Sequence, residues 1–279
     1  MKLRIFALAF SVGFIFCFSV AIFFVFRFSP AENDREEFLA EDAVFLEEET
    51  ANFLLIYEDE SGFGPFTVVG FDAARGRIPV FAFSEKAALD YGGVFISAGA
   101  LCSSVSPKVF AGTVEKELGI ELSGYIIWNR ESAEAITAKA GTFDYVLPKD
   151  IFYSDEKTYV NLVSGVQNMN GKKICDVISY PSFSEAERCD TASRIIAAFF
   201  NRRLKRFLPE SAVYSVIFNY TETDITAFDK EKYSKLIEVL CSLGESISGH
   251  ITNDTERDAN TGLLYFSDST KERIKKYFS

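Results

Sequence analysis

The pattern of apolar and polar positions divides the chain into three parts. Ile5–Phe26 is a run of 22 residues without a charge, which as a helix would span roughly 33 Å, the thickness of a bilayer core. Residues 29–51 are rich in acidic side chains, and residues 52–279 alternate short apolar runs with amphipathic segments. The pattern predicts a transmembrane anchor over 1–28, an acidic stalk over 29–51 and one globular domain over 52–279.

The flanks of the apolar run indicate its orientation. Lys2 and Arg4 precede it, only Arg27 follows it directly, and residues 31–50 carry nine carboxylates and one arginine. Since excess Lys and Arg stay on the cytoplasmic side, we expect a single-pass protein of the cell membrane with a cytoplasmic N-terminus and an extracytoplasmic C-terminal domain. A cleaved secretory signal is the alternative, although its apolar core usually spans only about 7–15 residues.

The first half of the globular domain contains strand patterns that later alternate with helical ones. Strand patterns occur at 52–57, 66–71, 78–83, 124–129 and 142–148. Helical periodicity occurs at 110–119 and 131–141. The turn residues DAARGR join the second and third strands, so this pair is predicted to form a hairpin.

The second half is predicted to contain longer helices. Asp190 is expected to cap a helix over 191–208, and the run AVYSVIFNY at 212–220 is expected to be a strand. A helix is expected over 229–244, and the chain ends with the apolar run GLLYFS and a helix over 268–279. Mixed strands and helices without a Gly/Ser linker predict one α/β domain with a mixed central sheet flanked by helices, with α+β as the alternative.

Net charge excludes one class of partner. Removing the three basic residues of the anchor from the 29 in the chain leaves 26 against 40 acidic residues, a net charge of about −14. A surface of that sign repels nucleic acid and anionic lipid headgroups. We therefore expect no nucleic-acid partner.

Four cysteines lie outside the apolar run, at positions 102, 175, 189 and 241. They form no C-x-x-C pair, which makes a zinc site improbable on spacing. Two disulfides in an oxidising compartment and four buried thiols are both compatible with the sequence. Cys175 and Cys189 form the first pair to test.

The common catalytic motifs are missing from the sequence. No G-x-S-x-G, P-loop or H-E-x-x-H pattern occurs, and a lone histidine, His250, is more often structural than catalytic. The segment YEDE at 57–60 places carboxylates at the end of a predicted strand, where α/β proteins bind ligands and where Asp and Glu could hold Mg²⁺. A solvated turn would show the same residues.

An ordered series of segments resembles the LytR-CpsA-Psr family of cell-envelope proteins. The segments are NFLLIYEDE, TVVGFDAARGRIPVFAFS, TVEKELGIELSGYIIWN, GVQNMNGKKICDVISY, ERCDTASRIIAAFF and TETDIT. The resemblance covers residues 52–279, and the predicted anchor and topology agree with it. It implies an extracytoplasmic domain that holds a polyprenyl pyrophosphate-linked glycan in an apolar tunnel. It also implies transfer of the glycan phosphate to a peptidoglycan hydroxyl, with Mg²⁺ and several arginines around the pyrophosphate.

The chain departs from the family at the implied metal site. Asp59 stands where the family has a metal-coordinating aspartate, but Phe66 stands where a second acidic ligand precedes the threonine of the next strand. The family's Ser-Ile-Pro-Arg-Asp is replaced by a segment in which Glu85 takes the place of the arginine. A Mg²⁺ site held through Asp59 is therefore expected to be weakened.

The implied arginine cluster is also reduced. After Asn170 and Gly171, the family has a strand that delivers an Arg-x-Arg pair, whereas this chain has Ser179 and Pro181 at the two arginine positions. This segment would therefore place fewer positively charged side chains around a bound pyrophosphate.

The next family motif is Asp-x-x-Arg-x-x-Arg-Gln. Glu185 takes the place of its aspartate and Arg188 that of its first arginine, whereas Thr191 takes that of the second. Arg194 lies about one turn further along the predicted helix and could substitute if it turned inward. Glu185, Arg188 and Arg194 are therefore the candidate catalytic residues, and the two arginines are the candidate pyrophosphate ligands.

Three hypotheses follow. The leading one is a membrane-anchored protein of cell-envelope glycopolymer assembly that binds a polyprenyl-linked glycan with weak or no catalysis, and whose partners include peptidoglycan or an active family relative. Loss of one charged donor typically costs about 10²-fold in rate, and about four are missing. The alternatives are an active Mg²⁺-dependent phosphotransferase and a structural or interaction domain without a lipid ligand.

Overall fold

The computed structural model describes residues 50–154, 159–207, 211–243 and 247–279. The predicted anchor, and the predicted stalk up to residue 49, lie outside the described residues. Among the residues that are described, no helix is long and apolar enough to cross a membrane.

A six-stranded mixed sheet forms the centre of the domain. In spatial order its strands are β11 (Glu222–Thr223), β6 (Gly124–Trp128), β1 (Thr50–Asp59), β2 (Gly62–Asp72), β3 (Ile78–Phe83) and β12 (Ser248–Ile251). β1 runs parallel to β6 and β3 parallel to β12, whereas β2 is antiparallel to both of its neighbours. The prediction of a mixed central sheet is confirmed, as is the hairpin of β2 and β3.

Helices and small hairpins surround this sheet. The helices are α1 (Ala98–Ser104), α2 (Pro107–Leu118), α3 (Arg130–Ala140), α4 (Gly171–Ile178), α5 (Glu185–Phe207), α6 (Ser211–Tyr220), α7 (Ala227–Ser242) and α8 (Asp268–Phe278). The hairpins are β4 (Ala88–Tyr91) with β5 (Val94–Ser97), β7 (Phe143–Leu147) with β10 (Gly165–Met169), β8 (Ile151–Ser154) with β9 (Tyr159–Leu162), and β13 (Thr255–Arg257) with β14 (Leu264–Phe266).

Both faces of the central sheet are buried, which explains why its strands are apolar almost throughout. Leu54 and Ile56 of β1 face one core, which includes Phe110 of α2. Phe53 and Leu55, which alternate with them in the pleat, face the other core, which includes Phe200 of α5. The two-residue period of a strand therefore distributes β1 between two layers of helices.

The prediction of a strand at 212–220 is wrong, because Ser211–Tyr220 is helix α6. Nine residues rich in apolar side chains satisfy both periodicities, so their length and composition do not decide between strand and helix. Tertiary packing decides the outcome. Ile217 packs against the core that contains Phe200, and the Ser132 hydroxyl of α3 donates a hydrogen bond to the Tyr220 carbonyl at 2.6 Å.

The predicted start of the long helix is also wrong, because α5 begins at Glu185 instead of after Asp190. A capping box explains this start. The Ser184 hydroxyl accepts from the Glu187 backbone N–H at 3.3 Å, and the Glu187 carboxylate accepts from the Ser184 backbone N–H at 2.9 Å. The motif Ser-x-x-Glu was present in the sequence and would have located this start.

Where the resemblance implied a strand after Asn170 and Gly171, the chain forms helix α4, with Asn170 as its N-cap. The Asn170 side chain accepts a hydrogen bond from the Lys173 backbone N–H at 3.0 Å. Gly171 allows α4 to touch α3, because a Cβ atom there would lie 2.2 Å from the backbone of Ala133. This close contact between α3 and α4 depends on tertiary packing, which the periodicity of the local sequence does not predict.

Candidate functional site

A polar cavity of about 1290 Å³ opens at the carboxyl end of β1. Asp59 and Arg188 both line it, so the structure brings these two predicted site residues together. Arg130 and Lys172 also line the cavity. Arg130 follows the last residue of β6 by two positions, and Tyr57 of β1 pairs with Trp128, the last residue of that parallel strand. The carboxyl ends of parallel strands meet at one edge of a sheet, which places residue 130 beside residue 59.

A chain of hydrogen bonds fixes Asp59. The Ser179 hydroxyl donates to Asp59 Oδ2 at 2.9 Å, and the Tyr57 phenol lies 3.1 Å from the same hydroxyl. Burial is the main cause that raises the pKa of Tyr57 far above its ordinary value, so the phenol stays protonated. Because the Ser179 proton is directed at Asp59, Tyr57 acts as the donor to Ser179.

These residues do not form a Mg²⁺ site of their own. The Asp59 carboxylate accepts hydrogen bonds from Ser179 and from the backbone N–H of Ser61, the latter at 2.8 Å. Among the described residues, no group of three or more His, Cys, Asp or Glu side chains is arranged to hold a metal ion. A hydroxyl-bonded single carboxylate is a poor match for an ion that needs near-octahedral oxygen ligands. We therefore derive no step through a metal.

Arg188 faces an acidic side chain within the cavity. Its Nη1 lies 3.5 Å from Oε1 of Glu85, and about three quarters of each side chain is buried. The Arg188 Nε is buried without a hydrogen-bond partner among the described residues. The positive charge of Arg188 is therefore partly neutralised by the protein's own Glu85.

Glu185 joins α5 to the segment that follows β3. It accepts hydrogen bonds from the Ser84 hydroxyl and from Lys86 Nζ, each at 2.6 Å. Burial alone would raise the pKa of Glu185, but the donors Lys86 and Ser84 outweigh it and lower the pKa. Glu185 is therefore an ionised anchor that holds the segment containing Glu85 against the start of α5.

Arg130 and Lys172 share a buried carboxylate that the sequence did not single out. Arg130 Nη2 lies 2.7 Å from Asp176 Oδ1, and Lys172 Nζ lies 2.8 Å from Asp176 Oδ2. Asp176 is almost fully buried, whereas both cations are about half exposed. The pairs hold the two cations at the cavity wall. The one indication of these cations in the sequence was that Arg130 follows a predicted strand. In the structure this strand is β6, which runs parallel to β1.

Arg194 does not join this cavity. Its Nε donates to Asp190 Oδ2 at 2.7 Å, and the side chain lines a separate cavity on another side of α5. On a helix, residues 188 and 194 are separated by about 120° around the axis. The expectation that Arg194 could replace a pyrophosphate-binding arginine therefore finds no support in its position.

Acidic groups outnumber basic ones around the polar cavity. The carboxylates that line it are Glu58, Asp59, Glu60, Glu85 and Glu131, and the cations are Arg130, Lys172 and Arg188. A pyrophosphate carries several negative charges and needs preorganised cations around it. The cavity offers three cations to a phosphate group, and its excess of carboxylates weakens the binding of a polyanion relative to a cavity lined by arginines.

A second, apolar cavity of about 190 Å³ lies between the sheet and the helices α3, α5, α6 and α7. Phe53, Trp128, Ile136, Phe199 and Ile217 are among the side chains that line it. Trp128 also contacts Tyr57 of the polar cavity, with ring centroids 4.7 Å apart. The two cavities therefore lie on either side of this aromatic pair.

Solved structures of similar fold are known. The domain is similar to a proposed transcription regulator of Eubacterium siraeum, with 16% identity over 82% of this chain and 90% of that chain and a TM-score of 0.71. It is similar to TagV of B. subtilis, with 16% identity over 83% of this chain and 96% of that chain and a TM-score of 0.66. TagT bound to LI-WTA is similar at 13% identity, over 83% and 90% of the two chains, with a TM-score of 0.61.

No family model matches the sequence, and no curated protein matches it either. At identities of 13–16% the structural likeness establishes the fold alone. TagV and TagT are LytR-CpsA-Psr proteins. The described domain of this chain accordingly has a LytR-CpsA-Psr-like fold.

Proposed function

We propose that this chain is a membrane-anchored, extracytoplasmic protein of cell-envelope glycopolymer assembly that binds a polyprenyl (pyro)phosphate-linked glycan with weak or no phosphotransferase activity. The fold shared with TagV, and with TagT bound to LI-WTA and LIIa-WTA, supports the cell-envelope assignment. The charge-free run Ile5–Phe26 supports the anchor.

The contact between Tyr57 and Trp128 is the observation that carries the proposal. The pair lies between an almost wholly apolar cavity and a polar cavity at the end of β1, so the two cavities are immediate neighbours. An amphipathic lipid needs this combination, since its chain is stabilised by apolar walls and its head group by hydrogen-bonding and charged side chains. The lipid chain would lie beside Trp128 and Phe199, and the head group beside Arg130 and Arg188.

The apolar cavity is small for a whole polyprenyl chain. Its volume of about 190 Å³ corresponds to roughly six water volumes. A longer chain would require the wall formed by Ile217 and Phe218 of α6 to move outward. Slower amide hydrogen exchange in α6 after lipid is added would report that the helix has closed around a ligand.

Charge explains why we propose binding in preference to transfer. Arg188 is the one family arginine retained in the polar cavity, and it faces Glu85 at 3.5 Å. Phosphoryl transfer depends on cations placed against the developing charge of the transition state. A guanidinium that already neutralises a neighbouring carboxylate supplies less of that stabilisation.

Native mass spectrometry of the full chain, extracted from membranes in mild detergent, tests the lipid ligand. We expect a bound polyprenyl phosphate or pyrophosphate species. The variant Ile136→Trp should fill the apolar cavity and reduce lipid occupancy, whereas Val163→Trp, at a side chain that is 60% exposed outside the cavity, should not. Absence of lipid from the unmodified chain, together with no binding of added polyprenyl phosphate, would contradict the proposal.

A transfer assay tests the catalytic part of the proposal. Phosphate release or glycan transfer from a polyprenyl pyrophosphate-linked glycan, measured with added Mg²⁺, should be slow or undetectable. Rapid turnover that is lost in Arg188→Ala would show that the chain is an active phosphotransferase. Protease added to intact cells should digest the C-terminal domain; full protection would contradict the proposed topology.

A further inference from the structure

A third cavity, of about 590 Å³, lies along one face of α5. The helix contributes Asp190, Thr191, Arg194, Ala197, Ala198 and Asn201, whose spacing of three and four residues places them on one side of the helix. Tyr145 and Val146 of β7 and His250 of β12 form the opposite walls. The volume falls within the roughly 300–1,000 Å³ of small-molecule sites. The proposed function leaves this cavity without a role.

Four polar side chains from three elements meet in this cavity. Asp190 Oδ2 accepts from Arg194 Nε at 2.7 Å, and Asp190 Oδ1 lies 3.6 Å from His250 Nε2. Tyr145 of β7 lines the same cavity, and burial is the main cause that raises the pKa of its phenol. Among the described residues, Arg194 uses only Nε in a hydrogen bond, and its side chain is about half exposed, so its two Nη groups are available as donors to a ligand or to water.

The charged groups of this cavity compensate each other. Asp190 and Arg194 carry opposite charges at ion-pair distance. Burial and the neighbouring Arg194 outweigh Asp190 and lower the pKa of His250, so its imidazole is neutral at pH 7. Because the two charges compensate each other, neither an anion nor a cation gains a net electrostatic attraction in the cavity. The site therefore favours a ligand without net charge.

The hydrogen-bond donors and acceptors of the cavity indicate which class of uncharged ligand it would bind. Asp190 offers acceptors, Arg194 offers donors, and the hydroxyl of Tyr145 can do both. A ring with neighbouring hydroxyl groups matches these side chains, because each hydroxyl can both donate and accept a hydrogen bond. The apolar walls formed by Val146, Ala197 and other small side chains suit the C–H face of such a ring.

We propose that the cavity between α5, β7 and β12 is a saccharide-binding site for neutral, hydroxyl-rich sugar units, held by Asp190, Arg194, Tyr145 and His250. This site is separate from the polar cavity at Asp59 and Arg188, and free sugars without a lipid would bind to it. The inference goes beyond the proposed function and does not depend on lipid binding.

The single histidine of the chain makes the test direct. Full-length protein in detergent, without a histidine tag and with ¹⁵N-labelled histidine, gives imidazole NMR signals from His250 alone. Methyl glucoside, glucuronate and glucosamine serve as neutral, anionic and cationic probes built on one ring. We expect saturable shifts with methyl glucoside, and weaker binding of both charged sugars.

Two variants and a matched control complete the design. Arg194→Ala and Asp190→Asn should each weaken methyl glucoside binding roughly tenfold or more, because each removes hydrogen bonds to a charged group. Arg202→Ala removes an exposed arginine from the same helix outside the cavity and should leave affinity unchanged. Asp190→Asn keeps the size of the side chain, so it remains informative if Arg194→Ala fails to fold.

The outcomes separate the alternatives. Tighter binding of glucuronate than of methyl glucoside would identify an anion site and overturn the proposal. So would the absence of any saturable His250 shift over the solubility range of the neutral sugar. Equal loss of affinity in Arg202→Ala and Arg194→Ala would show that the cavity is not where the sugar binds.

Discussion

Glu85 lies 3.5 Å from Arg188, at the position where the resembling family has an arginine. Glu85 in place of an arginine therefore removes one positive charge from the polar cavity. Its carboxylate also pairs with Arg188 and so neutralises part of a second positive charge. Lys86 and Ser84, on either side of Glu85, hold the carboxylate of Glu185. The segment after β3 is thus fixed to the start of α5 by an ion pair and a hydroxyl bond, with Glu85 directed at Arg188.

Replacing Glu85 tests whether this acid suppresses anion binding. Glu85→Gln should strengthen the binding of inorganic pyrophosphate roughly fivefold, about 1 kcal/mol, because it releases Arg188 from an ion pair that is about three quarters buried. Isothermal titration calorimetry measures the effect. The gain should vanish in the double variant with Arg188→Ala, and Glu256→Gln at an exposed site on β13 is the control. An unchanged affinity would show that Glu85 does not control the cavity.

The start of α5 depends on the Ser184 and Glu187 capping box. Ser184→Ala should lower the free energy of unfolding by about 1 kcal/mol. Hydrogen bonds from Lys149 and from Ser184 lower the pKa of Glu187 to about 2. Since this folded-state pKa is below that of the unfolded chain, the stabilisation is present above about pH 4.3 and is lost as pH falls towards 2. Urea unfolding at several pH values should show the unmodified protein and Glu187→Gln converging in acid, because the ionised carboxylate is the group that titrates; a constant difference would contradict this role.

The contact of α3 with α4 requires glycine at position 171. A Cβ atom there would lie 2.2 Å from the Ala133 backbone, which cannot move aside as a flexible side chain can. Gly171→Ala should therefore cost about 3 kcal/mol or more and lower the melting temperature by roughly 6–12 °C. Gly112→Ala is the matched control, because the nearest atom to its Cβ would be 4.0 Å away. That exposed helical substitution should raise stability by about 0.5–1 kcal/mol.

Burial should protect the interior thiols. The four described cysteines form no disulfide, and burial raises the pKa of Cys102 and of Cys175 to about 12. At pH 8 such a thiol has about a thousandfold less thiolate than an ordinary cysteine. Peptide mapping after brief alkylation should find Cys175 and Cys189 unlabelled in native protein and labelled after denaturation. A peptide that links Cys175 to Cys189 in a non-reducing digest would contradict the structure.

Local pattern was sufficient for the centre of the fold. Runs at 52–57, 66–71 and 78–83 have the length and β-branched or aromatic content of strands, and they form β1, β2 and β3. The strand pattern at 52–57 also predicted that Asp59 lies at the end of β1. The pattern at 212–220 failed, because a short apolar run has no period that distinguishes a strand from a helix until its neighbours are known.

The candidate site was predictable only in part. Asp59 and Arg188 line one cavity, as the ordered resemblance implied, and Glu185 anchors its edge. Arg130 was missed because its place depends on the parallel register of β1 and β6. Arg194 lies elsewhere because the rotation of α5 about its axis directs it to another cavity.

The sequence by itself determined the central strands, the acidic character of the chain after residue 28 and the identity of the residues that can carry charge. Each of these depends on residue type and on spacing along a short stretch of chain. Only the tertiary structure decided which charges face each other. Arg188 meets Glu85 across 103 positions of sequence, and Arg130 meets Asp176 through the packing of two helices. Strand register and helix rotation decide such pairs, and both are properties of the folded core.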